Sequence, residues 1–353
     1  MSLQNVSASG HLTVVNRLLL FDRFDISLPD IPIVSASAEG HSAIVKELLE
    51  DSRVDPAAQF NGAIIWASQF GHVAVVELLL QDSRVNPSDQ HNSAIIWASH
   101  ENHLPVVVRL MQDSRVDPSA RNNDAIIGAS RKGHFAIVEQ LLRDPRVDPS
   151  AQNNDAIIWA SERGHFAIVD RLLQDSRVDP SDFGNEAIRA AAQGGHVAIV
   201  QRLLQDSRVD PSAQNNTAII YASWQGHLAV VECLLQDSRV DPSAQNNAAI
   251  ICATRQGHFA IIERLMQDSR VNFQFPITCA LGCQKLEMIL LPSLLPFVRH
   301  NDNVRRLLPQ IVVKEKLVRE FEQFFTDAPP HVNKWLWEGG PGYHEGLEAF
   351  LSI

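Results

Sequence analysis

The chain has 353 residues, 45% hydrophobic and 20% charged, and its 41 acidic against 30 basic side chains give a formal net charge of −11. That balance argues against a nucleic-acid binder, which needs a basic face, and equally against an anionic membrane surface. The four cysteines, Cys233, Cys252, Cys279 and Cys283, all lie late in the chain and form no disulfide framework. A reducing compartment is expected, cytoplasmic or nuclear.

The N-terminal stretch MSLQNVSASGHL lacks a basic region followed by an apolar core, so no signal peptide is read there. From here to about Asn272 one unit recurs every 31 residues or so. Its glycine slot falls at Gly10, Gly40, Gly71, Asn102, Gly133, Gly164, Gly195, Gly226 and Gly257. A fixed period of this length marks a solenoid, in which no unit buries its apolar face alone. The first unit starts at Ser2 with polar Gln4 and Asn5 where Ile and Trp recur, as a cap or a cut end would.

The unit from Asn153 to Pro180 shows the pattern. Asp155, in a slot that also holds Ser93, Asp124 and Thr217, is placed to cap a helix start. A first helix over about Ala156 to Arg163 puts Ile157, Ala160 and Ser161 on one face. The small pair Ala160–Ser161 recurs as Ala67–Ser68, Ala98–Ser99, Ala129–Ser130 and Ala222–Ser223, which allows close helix approach. Gly164 ends the helix in a left-handed position. His165 opens a second helix with Phe166, Val169 and Leu173 on its stripe, widened by Ile168 and Leu172. Asp175 to Pro180 stops it, and a polar connector follows.

Two short antiparallel helices and a connector make a unit that resembles the ankyrin repeat. Ala160–Ser161 matches the family's Ala-Ala, Gly164–His165 its Gly-His, Leu172–Leu173 its Leu-Leu and Val178–Asp179 its Val-Asn. The resemblance runs from about Ser2 to Leu291. It implies an all-α helical repeat solenoid, a non-enzymatic scaffold and a protein partner on a concave surface. Two departures stand out. The family's Thr-Pro-Leu-His is Asp155-Ala-Ile-Ile158 here, without the Thr–His pair that ties that turn. The unit is also about two residues shorter than the family's, so short or irregular fingers are expected.

After Asn272 the pattern degrades, and Pro276 to Leu291 fits a shortened tenth unit. The expected domains are residues 1–291, a solenoid of nine repeats plus a degenerate tenth, and residues 292–353, a short helical C-terminal segment. In the latter, Val313, Leu317, Phe321 and Phe325 make Gln310 to Phe325 an amphipathic helix that Pro329–Pro330 ends. The apolar run Met288 to Val298 is too short to span a bilayer and holds two prolines. The segment reads as a cap on the last repeat, or as a partner-binding element that uses Trp335 and Trp337. The second alternative makes the chain an adaptor that recruits an enzyme such as a ubiquitin ligase subunit; a third makes it a fragment of a larger multidomain enzyme.

No catalytic constellation, cofactor site or metal site is read. The histidines His41, His72, His134, His165, His196, His227 and His258 recur once per unit. Helices packed about 8–10 Å apart cannot bring two of them to one zinc ion at about 2 Å. His100-Glu101-Asn102-His103 has the wrong spacing for HExxH. Cys279 and Cys283 lack a second ligand pair. Ser161 with His165 is a framework pair, since it is copied through most units.

Function is therefore sought where the units differ. The drifting slots are the connector tip, the fourth residue of helix one and the two residues before Gly-His. They hold Phe60, Trp66 and Phe70 in one unit and His91 and Trp97 in the next, an aromatic cluster of the kind that anchors protein partners. The alternative for Trp66, Trp97, Trp159 and Tyr221 is half-buried packing between helices. Further on the slots turn basic, with Arg121, Arg131, Lys132, Arg163 and Arg189, a strip that could receive an acidic peptide. Phe183 also breaks the pattern, and Arg189 is spaced to pair with Glu186. The Asp-Ser-Arg run suggests a ladder of Arg against Asp of neighbouring units. The partner expectations are a monomer bound to a protein, with no nucleic acid and no membrane.

Overall fold

The computed structural model describes residues 3–19 and 32–271. Among them lie eighteen helices and no strand, as an all-α repeat requires. The expected tenth unit, the Gln310–Phe325 helix, Cys279, Cys283 and the boundary at residue 291 lie outside the described residues. The described residues fall into two compact units, one made of residues 3–19, 32–222 and 229–240 and the other of residues 223–228 with 241–271.

Within the first unit each repeat is a helix pair. Ala151–Arg163 and Phe166–Leu173 are one pair, Asp182–Gly194 and Val197–Leu204 the next. Gly164 takes φ 81° and ends the first helix left-handed, as expected. A Cβ built on Gly164 would lie 2.6 Å from the ring of His196. The glycine therefore serves its own turn and leaves room for the next repeat's histidine. Asn102 fills the same slot at φ 66°, which asparagine tolerates.

Helix one buries the face that its spacing predicts: Ile157, Ala160 and Ser161 are fully covered. Helix two buries Ile168, Val169 and Leu172, but Phe166 is 44% exposed. This corrects the expected stripe. Phe166 begins the helix, so it projects past the end of the packed face, as do Phe135 and Phe259 in their own repeats.

The connector is not a finger but a left-handed turn. Gln152, Asn153 and Asn154 all have φ between 54° and 63°, and the right-handed helix starts only at Asp155. The same triple recurs from Gln59–Asn61 to Gln245–Asn247. Three consecutive residues in this region cost roughly 1–2 kcal/mol each. The third of them repays the cost. Asn154 is buried, its Oδ1 accepts the Asp179 N–H at 2.9 Å, and its Nδ2 donates to Asp182 Oδ2 at 3.0 Å. Asn61, Asn92, Asn123 and Asn185 accept the N–H of Asn86, Asp117, Asp148 and Asp210 in the same way. This tie stands where the Thr–His pair is missing.

The expected helix caps are corrected with it. Ser93 and Thr217 do not cap; their hydroxyls donate backward to the carbonyls of Gln90 and Gln214. Asp155 sits beside the Trp159 indole one turn on.

Two further ladders join repeats. The Nε2 of His41, His72, His134, His165 and His196 donates to the carbonyl of Ala8, Ala38, His100, Arg131 and Glu162, near the end of the preceding helix one. In the second unit His258 does the same to Trp224 at 3.0 Å. The Nη1 of Arg84, Arg115, Arg146, Arg177, Arg208 and Arg239 donates to the carbonyl of Val54, Val85, Val116, Val147, Val178 and Val209. The Arg–Asp pairing, by contrast, is internal: Arg177 grips Asp175, two residues back. The expected ladder of Arg against a neighbour's Asp is thus wrong, because the guanidinium reaches the neighbour's backbone instead.

The Ser161 hydroxyl is buried without a hydrogen-bond partner. Asp182–Gly194 carries Ala192 in that slot. An unsatisfied buried hydroxyl costs about 1–3 kcal/mol, so Ser161→Ala is expected to raise unfolding free energy by about 1 kcal/mol in urea titration. A loss of stability would show the hydroxyl to be bonded.

The Arg hydrogen bond holds Asp51, Asp82, Asp113, Asp144, Asp175, Asp206, Asp237 and Asp268 below the usual carboxylate range, against the opposing push of burial. Burial pushes His134 down. A depressed carboxyl gives stability that is full above its unfolded value, about 4, and lost as pH falls through the folded one. For a depressed histidine, stability is full above about 6.5 and falls as the unfolded state takes up its proton. Thermal melting is expected to weaken first below about pH 6.5 and more steeply below about pH 4. A melting temperature flat from neutral pH to below about 4 contradicts this.

Candidate functional site

Phe60 stands second in the left-handed turn Gln59–Asn61, at φ 55° and ψ 52°, and is 73% exposed. Bulky side chains rarely adopt this conformation. The same slot holds Asn122, Asn153, Asn215 and Asn246 in other repeats. Phe60 therefore replaces a residue suited to the turn with one that is strained and left in water.

The helix that follows it and the next repeat carry several of the expected residues. Trp66 and Phe70, four residues apart on Ala58–Gln69, stack with ring centroids 5.9 Å apart and planes 15° apart. Both are exposed. His91 is exposed at the same turn position in the following repeat, and Trp97 lies one repeat after Trp66. Trp97 meets His100 edge-on at 5.8 Å.

His100 extends into the next repeat. Its ring lies over Gly128, where any Cβ would collide with it, and its Nε2 is 3.7 Å from Asp124 Oδ1. That contact helps hold the Asp124 carboxyl below the usual range. Gly128 thus empties the tryptophan slot because His100 occupies it.

The packing alternative for the tryptophan slot divides by position. Trp66 and Trp97 are exposed, whereas Trp159 and Tyr221 are half-buried. Arg131 covers the Trp159 ring, its guanidinium 4.3 Å from the centroid.

The basic strip is largely compensated. Lys132 pairs with Glu101 at 2.9 Å and Arg163 lies 3.7 Å from Glu162. Arg121 donates to the Gln90 carbonyl. Arg189 is the one expected site residue that the structure turns inward. Its side chain is 14% exposed, paired as expected with Glu186 and bonded to the Phe183 carbonyl. Replacing an isoleucine, it packs along the helix rather than standing out as a cation.

Sequence reasoning passed over Trp224, which is 48% exposed in the second unit. The signal was present, since polar or charged residues usually fill that slot before Gly-His.

The histidine ladder leaves its Nε2 atoms on backbone carbonyls, and His165 bonds Arg131 rather than Ser161. Among the described residues no cluster of His, Cys, Asp and Glu could hold a metal, and no helix is long and apolar enough to cross a membrane.

The family model described as ankyrin repeats in three copies matches overlapping stretches at residues 3–91, 33–122, 64–153, 95–183, 157–246 and 187–277. No curated protein matches the chain. Ankyrin repeats generally mediate protein–protein interaction. With the family model matched over most of its length, the chain belongs to the ankyrin repeat family.

Proposed function

We propose that this protein is a non-enzymatic scaffold that binds a protein partner on the helix-one face, with Phe60, Trp66, Phe70, His91 and Trp97 as the anchoring cluster. The observation that carries it is Phe60: an exposed aromatic side chain held in a left-handed turn position that asparagine fills in four other repeats. Its conformation and its exposure are both unfavourable to the free protein, and a partner that covers the ring offsets the second. Arg131, Lys132 and Arg163 lie in the two repeats that follow the cluster. Because their charges are already met by Trp159, Glu101 and Glu162, they orient a partner more than they attract one. Arg189 stays outside this surface.

The ladders supply the mechanism. Side chains bonded to the neighbouring repeat's backbone fix the helix-one faces before a partner arrives, so little ordering entropy is lost on binding. A partner recovered by affinity capture on the whole chain is titrated against the wild type and the double variant Phe60→Ala with Phe70→Ala. Hot-spot aromatics contribute 2 kcal/mol or more, so a loss of at least about 30-fold in affinity is expected with an unchanged melting profile. A partner that binds the folded double variant as tightly as the wild type refutes the site.

A further inference from the structure

Asn61 is followed by Gly62, and this Asn-Gly pair occurs once in the chain. The slot of Gly62 holds Ser93, Asp124, Asp155, Glu186, Thr217 and Ala248 in the other repeats. Gly62 has no positive φ, and a Cβ built there comes no closer than 3.3 Å to Gln59 and 3.5 Å to Val34. The Gln59 contact is a tight one, but the side chains that this slot carries in the other repeats show that the turn accommodates a Cβ there. What glycine changes is reactivity, because without a Cβ its backbone nitrogen approaches the preceding side chain most freely.

We propose that Asn61–Gly62 is a self-modification site, which deamidates when its left-handed turn opens and so severs the tie between its repeat and the next. The Gly62 nitrogen bonds to Asn61 Cγ, and the Cγ–Nδ2 bond breaks. The Gly62 amide proton leaves with Nδ2 as ammonia, and a five-membered cyclic imide remains. Water adds to one of the two imide carbonyls and opens the ring, which gives aspartate or isoaspartate. Water is the sole co-reactant, and nothing is oxidised or reduced.

The closed turn blocks this step in two ways. With Asn61 at φ 57° and ψ 37°, the Gly62 nitrogen lies nearly opposite Cβ across the Cα–C bond and cannot reach Cγ. The amide is also held at both ends: Oδ1 accepts the Asn86 N–H at 2.7 Å, and Nδ2 donates to Asp89 Oδ2 at 2.8 Å. Once the turn has opened and reacted, it cannot close as before. An aspartate at position 61 turns a carboxylate toward Asp89 where a donor had been. An isoaspartate adds a backbone atom to a turn of three left-handed residues. Phe60 and Trp66 lie on one side of this junction and His91 and Trp97 on the other. Loss of the partner surface would follow, a consequence that rests on the binding function proposed above, whereas the chemistry does not.

The experiment follows Asn61, Asn92 and Asn154 by peptide mass mapping and isoaspartate detection in the full chain. It is kept near neutral pH without denaturant, at sub-unfolding urea, and fully unfolded. Asn154 has the same double tie but is followed by Asp155. In the unfolded chain Asn61 is expected to convert first. In the folded chain its rate should be on the order of 100-fold lower, the population of a local opening, and should rise with urea below the unfolding transition. Gly62→Ala should suppress conversion at Asn61, and converted wild type should melt lower than unconverted wild type. Equal rates in folded and unfolded chains overturn the gating by the turn. Conversion at Asn61 no faster than at Asn92 and Asn154 in the unfolded chain overturns the site, and needs no folded variant to establish.

Discussion

The first unit depends on a buried amide that recurs from Asn61 to Asn185. A left-handed turn of three residues is an expensive way to enter a helix, and it persists because its last residue, as at Asn154, is tied to the backbone of the following connector. The Asp179 N–H that Asn154 accepts belongs to a connector closed at Pro180, where the Asp179 carboxylate in turn holds the N–H and hydroxyl of Ser181. Strain in one repeat is thus offset by order in the next, and the two cannot form separately. This is why a unit of this length is not a domain.

The other two ladders extend the same logic to the ends of both helices. The histidine that opens helix two satisfies a carbonyl at the close of the neighbouring helix one, and the glycine beneath its ring gives it room. The arginine after each helix two satisfies a valine carbonyl across the junction while its own aspartate holds it in place. These are side-chain-to-backbone bonds, so they constrain the spacing of repeats without constraining the exposed slots between them. Phe60, His91 and Phe183 can then vary on a framework that does not. The exposed slots are thus left chemically free on a bonded framework.

The period and the helix pairs could be read directly, because Gly-His and the apolar spacing recur with little change. The ladders could not. Gln152-Asn153-Asn154 reads as a polar connector, and nothing in residue type says that three successive residues are left-handed. The direction of Arg177 was likewise hidden, since aspartate is the obvious partner and a carbonyl thirty residues away is not visible in composition. Phe166 misled for a different reason: helical spacing places it on the apolar stripe, but its position at the first turn takes it beyond the packed face. At the candidate site Phe60 and Phe70 were legible because they interrupt columns of polar residues. Arg189 was not, because exposure depends on whether Glu186 and the Phe183 carbonyl can draw it inward.

The claim that buried asparagines tie successive repeats is tested most directly by amide hydrogen exchange at Asp117, Asp148, Asp179 and Asp210, the residues whose N–H groups they accept. These amides lie in connectors outside the helices, where exchange is ordinarily fast. If the ties hold the repeats together, they exchange as slowly as the buried helical amides of Ile157 and Ile188, through the same cooperative opening. Exchange as rapid as that of exposed turn amides would contradict the account.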